Sequence, residues 1–138
     1  VRLLLHHVTG KDRGLRLMEH AYSESELNRL AECARACSDG MPVQHVLGQT
    51  LFHGLELKTD ARALIPRPET EELAAWVLDW VRTHRAHRVC DAGTGTGCLA
   101  LALKAGWPQA DVVAIDASAS ALDLARENGE RLGLGVSC

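Results

Sequence analysis

The chain has 138 residues, about one domain's worth, and its 46% hydrophobic and 24% charged content excludes intrinsic disorder. Lys plus Arg is 15 and Asp plus Glu is 18, so the formal charge of −3 argues against holding nucleic acid by charge alone. Aromatics at 4% argue against a base-stacking platform, and no apolar run nears the roughly 18 residues of a membrane helix. With no signal-peptide pattern at the start, the expectation is a cytoplasmic protein without a membrane partner.

Residues 1–41 read as helical. An apolar stretch at Leu3–Val8 is followed by a loop over Thr9–Gly14. Ser23 and Glu26 stand at capping-box spacing, and Leu27, Leu30, Ala31 and Ala34 then form one apolar stripe. Gly40 and Pro42 close that helix. Residues 42–67 change towards period two, with Val43–Leu47 and Leu51–Leu57 expected as strands, Gly48 and Gly54 as breakers, and Ala63–Ile65 as a third short run. The expectation is a β-hairpin linker.

Pro66-Arg67-Pro68 holds the chain extended, because the residue before each proline is pushed out of the helical region. Thr70 is the expected N-cap of the next helix, with Glu71 and Glu72 favourable in its first turn. Leu73, Trp76, Val77, Trp80 and Val81 follow at helical spacing and predict its buried face.

From Arg88 the pattern alternates. Arg88–Asp91 reads as a strand, Gly93–Gly97 as a turn, Cys98–Ala105 as a helix and Asp111–Asp116 as a second strand. Ser118 caps a helix reaching Leu132, interrupted by Gly129 at a cost of about 1 kcal/mol and stopped by Gly133. Strand–helix–strand–helix at this pitch predicts parallel strands at the start of a doubly wound α/β sheet over residues 68–138. The chain opens inside an apolar run without an initiator Met and stops where a strand begins, so an internal piece of a longer protein is expected. Two strands would leave Leu99, Leu101, Leu103 and Leu122 without a covering layer, which predicts that the piece alone aggregates or stays molten.

Cys33, Cys37, Cys90, Cys98 and Cys138 are odd in number and contain no CxxC pair, so reduced thiols and no metal site are expected. His84 and His87 lie among Arg82, Arg85 and Arg88, a solvated basic helix end.

The informative unit is Asp91-x-Gly93-x-Gly95-x-Gly97, with Asp116 at the end of the next strand. Glycines let the backbone turn sharply and bring a ligand close to main-chain N–H groups. An acid at the tip of the second strand suits a ribose diol. A bare glycine turn with two capping acids is the bland alternative. Gly95-x-Gly97-x-x-Ala100 also fits the dinucleotide fingerprint of nicotinamide-dependent oxidoreductases, whereas a P-loop is excluded because no Lys follows Gly97. Asp91 at the first strand's end suits a cationic group better than a pyrophosphate, such as the ammonium of S-adenosylmethionine.

In order along the chain stand Leu3-Leu4-Leu5-x-x-Val8-x-Gly10-Lys11-x-Arg13, Pro42-x-Gln44-x-x-x-Gly48, Phe52-x-Gly54 and Leu64-Ile65-Pro66-Arg67-Pro68-Glu69-Thr70-Glu71. Asp91-x-Gly93-Thr94-Gly95-Thr96-Gly97 and Val113-x-Ile115-Asp116 follow. With these the chain resembles the bacterial release-factor glutamine N5-methyltransferases, a family of class I S-adenosylmethionine-dependent methyltransferases. Ribosomal-protein glutamine methyltransferases share the layout only as far as the Pro-Arg pair.

The resemblance implies a helical N-terminal domain that docks the release factor, a hairpin linker and a seven-stranded Rossmann-like methyltransferase domain. It implies that Gly93, Thr94, Gly95, Thr96, Gly97 and Asp116 hold the cofactor, Asp116 through the ribose. Pro66, Arg67, Pro68, Glu69 and Thr70 are a further expected contact. His53, Cys90 and Ala92 depart from the usual Tyr, Leu and Leu. The family's amide-gripping Asn-Pro-Pro-Tyr motif is absent from these residues, so the catalytic groups are expected beyond Cys138 and this piece alone is expected to be inactive. A methyltransferase acting on a nucleic-acid base amine would use a related motif, but charge and aromatic content count against it.

Overall fold

In the computed structural model, whose described residues are 2–10, 21–85 and 87–138, the chain forms two units, Val1–Leu47 and Gly48–Cys138. The first is helical. Helix α1 (Arg2–Thr9) buries Leu4 and Val8, one helical turn apart, and packs on α2 (Glu24–Ser38). The Ser23 capping box forms as its spacing predicts: Glu26 N donates to Ser23 Oγ at 3.3 Å, and Ser23 N donates to Glu26 Oε2 at 2.8 Å. No residue of α2 is buried, and Leu27 of its apolar stripe is exposed. Lys11–Gly14, including the Gly10-Lys11-x-Arg13 run beyond Gly10, lie outside the described residues.

Val43–Leu47 is not the expected strand. It forms a short helix, α3, whose first amides at His45 and Val46 both donate to the Pro42 carbonyl at 2.9 and 3.1 Å. Val43, Val46 and Leu47 are spaced i, i+3, i+4, which suits a helix, and Pro42 has a backbone angle ready for one.

The second unit opens with the hairpin β1 (Gln49–Phe52) and β2 (Leu55–Lys58), antiparallel with Gln49 opposite Lys58 and Phe52 opposite Leu55. Its turn residues His53 and Gly54 both take positive φ (48° and 81°), the combination that matches the twist of the flanking strands. Phe52 and Leu57 turn inward and are fully buried with Ala74, Leu101 and Ala102. Ala63–Ile65 is not a strand. Asp60 caps the Arg62 amide at 3.0 Å in a side-chain turn, and the prolines that follow supply no N–H to a ladder.

Helix α4 (Pro68–Thr83) starts earlier than Thr70. Arg67 is its N-cap and Pro68 occupies the first helical position, where the missing N–H removes no bond. Its buried face also differs from expectation, being Ala74, Leu78 and Val81. Of the expected set only Val81 is buried; Trp76 is 73% exposed and Trp80 56%. The helix meets α5 through its small residues, and a Cβ built on Gly106 would lie 2.6 Å from Leu78 Cδ2.

Strands β3 (Arg88–Ala92) and β4 (Asp111–Ile115) pair in parallel, Arg88 with Asp111 through Ala92 with Ile115. Ser137 begins a third parallel partner beside β4, with Ala114 N donating to Ser137 O at 2.7 Å and Ser137 N to Val112 O at 3.0 Å. This is the opening of the doubly wound sheet. The middle of helix α5 (Cys98–Gly106) is buried on two sides: Ala100 faces the sheet with Ala110, Val112 and Ala114, while Leu101 and Ala102 meet the hairpin and α4. Leu101 and Leu103 are therefore covered, contrary to expectation, because the hairpin and α4 belong to the same unit as the sheet. Helix α6 (Ala119–Leu132) is capped by Ser118, whose Oγ accepts from Ala121 N at 3.3 Å.

Gly129 inside α6 has a reason. The chain doubles back so that Leu134 N donates to Gly129 O, and a Cβ at Gly129 would lie 3.2 Å from the Leu134 carbonyl oxygen. At Gly106 the approach is tighter. Gly106→Ala is expected to destabilise the protein by about 1–3 kcal/mol through overpacking against Leu78, read as a lower denaturant midpoint; an unchanged midpoint would show that Leu78 moves aside freely.

Candidate cofactor site

Parallel strands bring Asp91, the penultimate residue of β3, and Asp116, directly after β4, to one end of the sheet. Between them the loop passes Gly93, Gly95 and Gly97 at φ of 79°, 55° and 81°, a left-handed backbone that glycine adopts without strain. Every turn of this loop is bonded. Gly93 N and Thr94 N both donate to the Ile115 carbonyl at 2.8 and 3.0 Å, and Gly97 N donates to Thr94 O at 2.9 Å.

The two acids divide the rest. Asp91 is buried; its Oδ2 accepts Thr94 Oγ1 at 2.6 Å and the α5 amide of Ala100 at 3.2 Å. Among the described residues no donor reaches its Oδ1. Asp116 accepts Gly95 N on Oδ2 and Ser118 N on Oδ1, each at 2.9 Å. These backbone donors, Ser118 first and Gly95 second, hold its carboxyl below the usual carboxylate range.

A cavity of about 270 Å³ opens beside the loop. Among the expected residues it gathers Pro66, Arg67, Thr70, Asp91, Gly93, Thr94, Gly95 and Thr96. Gly97, Pro68, Glu69 and Asp116 are not in its wall. Gly97 instead packs on α6, where a Cβ would lie 3.1 Å from Ala125 Cβ, while Pro68 and Glu69 form the first turn of α4. The wall also includes Leu64, Ile65, Ala92, Cys98 and Leu99, which sequence reasoning did not assign to the site. Leu64-Ile65 before a proline was the signal available: an apolar pair in an irregular segment with nothing of its own to pack on. Cys98 is not an activated thiol, because burial pushes its pKa up.

The family description "PrmC N-terminal domain" matches residues 1–48, and "Methyltransferase domain" matches residues 83–137. Release factor glutamine methyltransferase of Deinococcus radiodurans is 46% identical over 138 residues, covering 98% of this chain and 49% of that protein. The enzyme of the same description from Bordetella pertussis is 37% identical over 99% of this chain and 52% of its own length. That from Bacillus subtilis is 36% identical over 97% and 49%. The chain belongs to the release factor glutamine methyltransferase family.

The chain spans about half the length of the curated relatives it matches. Its glycine loop and two parallel strands fall inside the methyltransferase match, so the sheet is the first part of a class I methyltransferase fold. A solved coclaurine N-methyltransferase bound to N-methylheliamine and SAH is a distant likeness, with a TM-score of 0.42 and 17% identity over 99% of this chain and 41% of that one. Among the described residues no helix is long and apolar enough to cross a membrane.

One further cluster braces the segment between the hairpin and α4. Glu127 of α6 accepts Lys58 Nζ at 2.6 Å and Arg62 Nη1 at 2.7 Å, and Arg62 also chelates Asp60. The Arg62 guanidinium holds the carboxyls of both Glu127 and Asp60 down to about 2, and they in turn raise Arg62. Both acids are lowered, so their pairing stabilises the fold above the ordinary carboxylate range and is lost as pH falls from about 4 towards 2. Their partial exposure keeps the effect modest. Thermal melts should therefore show Glu127→Gln below the wild type at neutral pH, with the gap closing below about pH 4. A gap that persists at pH 2 would assign the brace to packing instead.

Proposed function

We propose that the whole protein transfers a methyl group from S-adenosyl-L-methionine to the side-chain amide nitrogen of a glutamine in a peptide chain release factor, in the cytoplasm. The observation that carries the cofactor assignment is the pairing of opposite charges on one cavity. Asp91 and Arg67 both line it, and neither the Asp91 Oδ1 nor the Arg67 guanidinium has a partner among the described residues. An amino-acid end group carries an ammonium and a carboxylate, and this wall offers one charged group to each. The residues present fit the cofactor. Gly95, at the cavity, has only Ala63 Cβ near its own missing side chain, at 3.8 Å.

In this reading Asp91 meets the ammonium and Arg67, with the start of α4 behind it, meets the carboxylate. Gly93, Thr94, Gly95 and Thr96 give close backbone approach, and Asp116 keeps lone pairs for the ribose hydroxyls while it holds Gly95. Gly97, Pro68 and Glu69 support the wall from behind. When bound, the cofactor supplies an electrophilic methyl on a sulfonium that is itself a good leaving group. An amide nitrogen is a weak nucleophile, so the protein's part is to hold it in line and dry. The groups for that step are assigned beyond Cys138. The helices of residues 1–41 are assigned to docking the release factor, residues 42–67 to joining them to the catalytic domain, into whose core the hairpin packs, and residues 68–138 to the cofactor half of that domain.

A nicotinamide cofactor is disfavoured by the Asp91–Ala100 bond, which puts a carboxylate at the α5 N-terminus where a pyrophosphate would sit. Incubating the full-length enzyme with labelled S-adenosylmethionine and either release factor or RNA tests the acceptor. Label should enter the release factor; label in RNA, or a thermal shift with NADH alone, would overturn the assignment. Asp116→Ala should weaken S-adenosylmethionine binding by about 1.5–3 kcal/mol for each charge-assisted bond lost, measured by calorimetry. Unchanged affinity would make Asp116 a loop clamp only.

A further inference from the structure

Asn128 lies in α6, outside the cavity wall, and is fully buried. Its Oδ1 accepts the Lys58 amide at 2.7 Å, and its Nδ2 donates to Lys58 O at 3.1 Å and to Thr96 O at 3.0 Å. Two carbonyls and one amide surround the side chain, so only one orientation of its amide satisfies all three. The carboxamide thus completes the pairing of β2's last residue and reaches the glycine loop at once.

That second contact fixes a particular peptide. The Thr96–Gly97 unit is held at both ends, its C=O by Asn128 Nδ2 and its N–H by Thr94 O at 2.9 Å. Gly97 then presses on Ala125, three residues before Asn128 on the same face of α6. Freed from Asn128, the Thr96 carbonyl would be a buried acceptor without a donor, and the peptide plane could rotate to find one.

We propose that Asn128 is a positioning residue for the methyl donor, setting the Thr96–Gly97 peptide so that the loop is shaped before the cofactor arrives. Through Lys58 it also ties the occupied loop to the hairpin. The inference rests on the cofactor assignment above. An isosteric carboxylate at position 128 still accepts the Lys58 amide but faces two carbonyls with no hydrogen to give, so Asn128→Asp removes the loop contact at nearly constant volume. Glu127→Gln is the neighbouring control: it changes the ion cluster, whose bonds to Lys58 and Arg62 use side-chain atoms, and Glu127 is not among the partners of Asn128.

The test uses the full-length enzyme. Asn128→Asp should raise the Kd and the KM for S-adenosylmethionine about tenfold or more. Its kcat at saturating donor and its KM for release factor should stay close to wild type, and Glu127→Gln should bind the donor normally. Wild-type donor affinity in Asn128→Asp would overturn the inference, as would an equal loss in donor affinity, release-factor KM and kcat. Should that variant fail to fold, hydrogen exchange on the wild type decides. Saturating S-adenosylmethionine should slow exchange of the Lys58 amide while leaving His53 and Gly54 at the hairpin turn unchanged; an unchanged Lys58 would overturn the coupling. Failure of the underlying site assignment is distinguishable, since the wild type would then show no binding of S-adenosylmethionine before any variant is made, and this inference would fall with it.

Discussion

Between β3 and α5 the backbone takes positive φ three times within five residues. A turn of that kind has no repeating hydrogen-bond pattern of its own, so each polar group needs a partner from elsewhere. Asp91, the Ile115 carbonyl, Asp116 and Asn128 supply those partners, drawn from β3, the end of β4 and α6. The loop is thus held from three elements, and the parallel pairing of β3 with β4 is what brings two of them to the same end. A one-residue slip in that register would carry Ile115 O and Asp116 away together.

The same constraint explains the composition of α5. A helix that starts at the loop and runs beneath the hairpin and α4 keeps little solvent face, and Ala100 through Leu103 are buried consecutively while Ala105 near its end is exposed. Small residues let neighbours come close: Gly106 meets Leu78, Gly97 meets Ala125, and Ala74 and Ala102 share the central cluster. Each fully buried leucine in such a setting contributes about 1.5–3 kcal/mol, so Leu101 and Leu103 anchor the helix that the loop feeds. The hairpin provides Phe52 and Leu57 to that same core. It is by packing a part of the sheet's unit, whatever its place in the chain suggests.

What was legible in the sequence was local chemistry. Ser23 with Glu26, Ser118, Gly133 and the glycine loop act through neighbours a few residues away, and each stands where its spacing implied. Two of the misjudged elements trace to periodicity, which weighs large side chains. Val43–Leu47 has apolar residues at positions that suit strand or helix, and Pro42 tipped it to helix. Helix α4 carries two apolar faces, and the one with alanine won over the one with tryptophan because a close neighbour needs little volume. Asn128 left no local mark at all. An asparagine between Glu127 and Gly129 reads as a solvent-facing position, and its partners lie 70 and 32 residues away.

Charge decides how a glycine loop of this shape is used. A bare helix N-terminus carries about half a positive charge and invites phosphate. Here Asp91 already sits on the third amide of α5, at Ala100, so the terminus is compensated from inside the fold. A phosphate brought to about 4 Å from that carboxylate would meet a repulsion of about 4 kcal/mol at the effective dielectric of a protein surface. An ammonium at the same distance would gain a similar amount before its own desolvation is counted. In the proposed reading, that difference in sign turns a backbone common to dinucleotide and methyl-donor sites towards a cationic ligand, and Arg67, which lines the same cavity as Asp91, gives that ligand a direction.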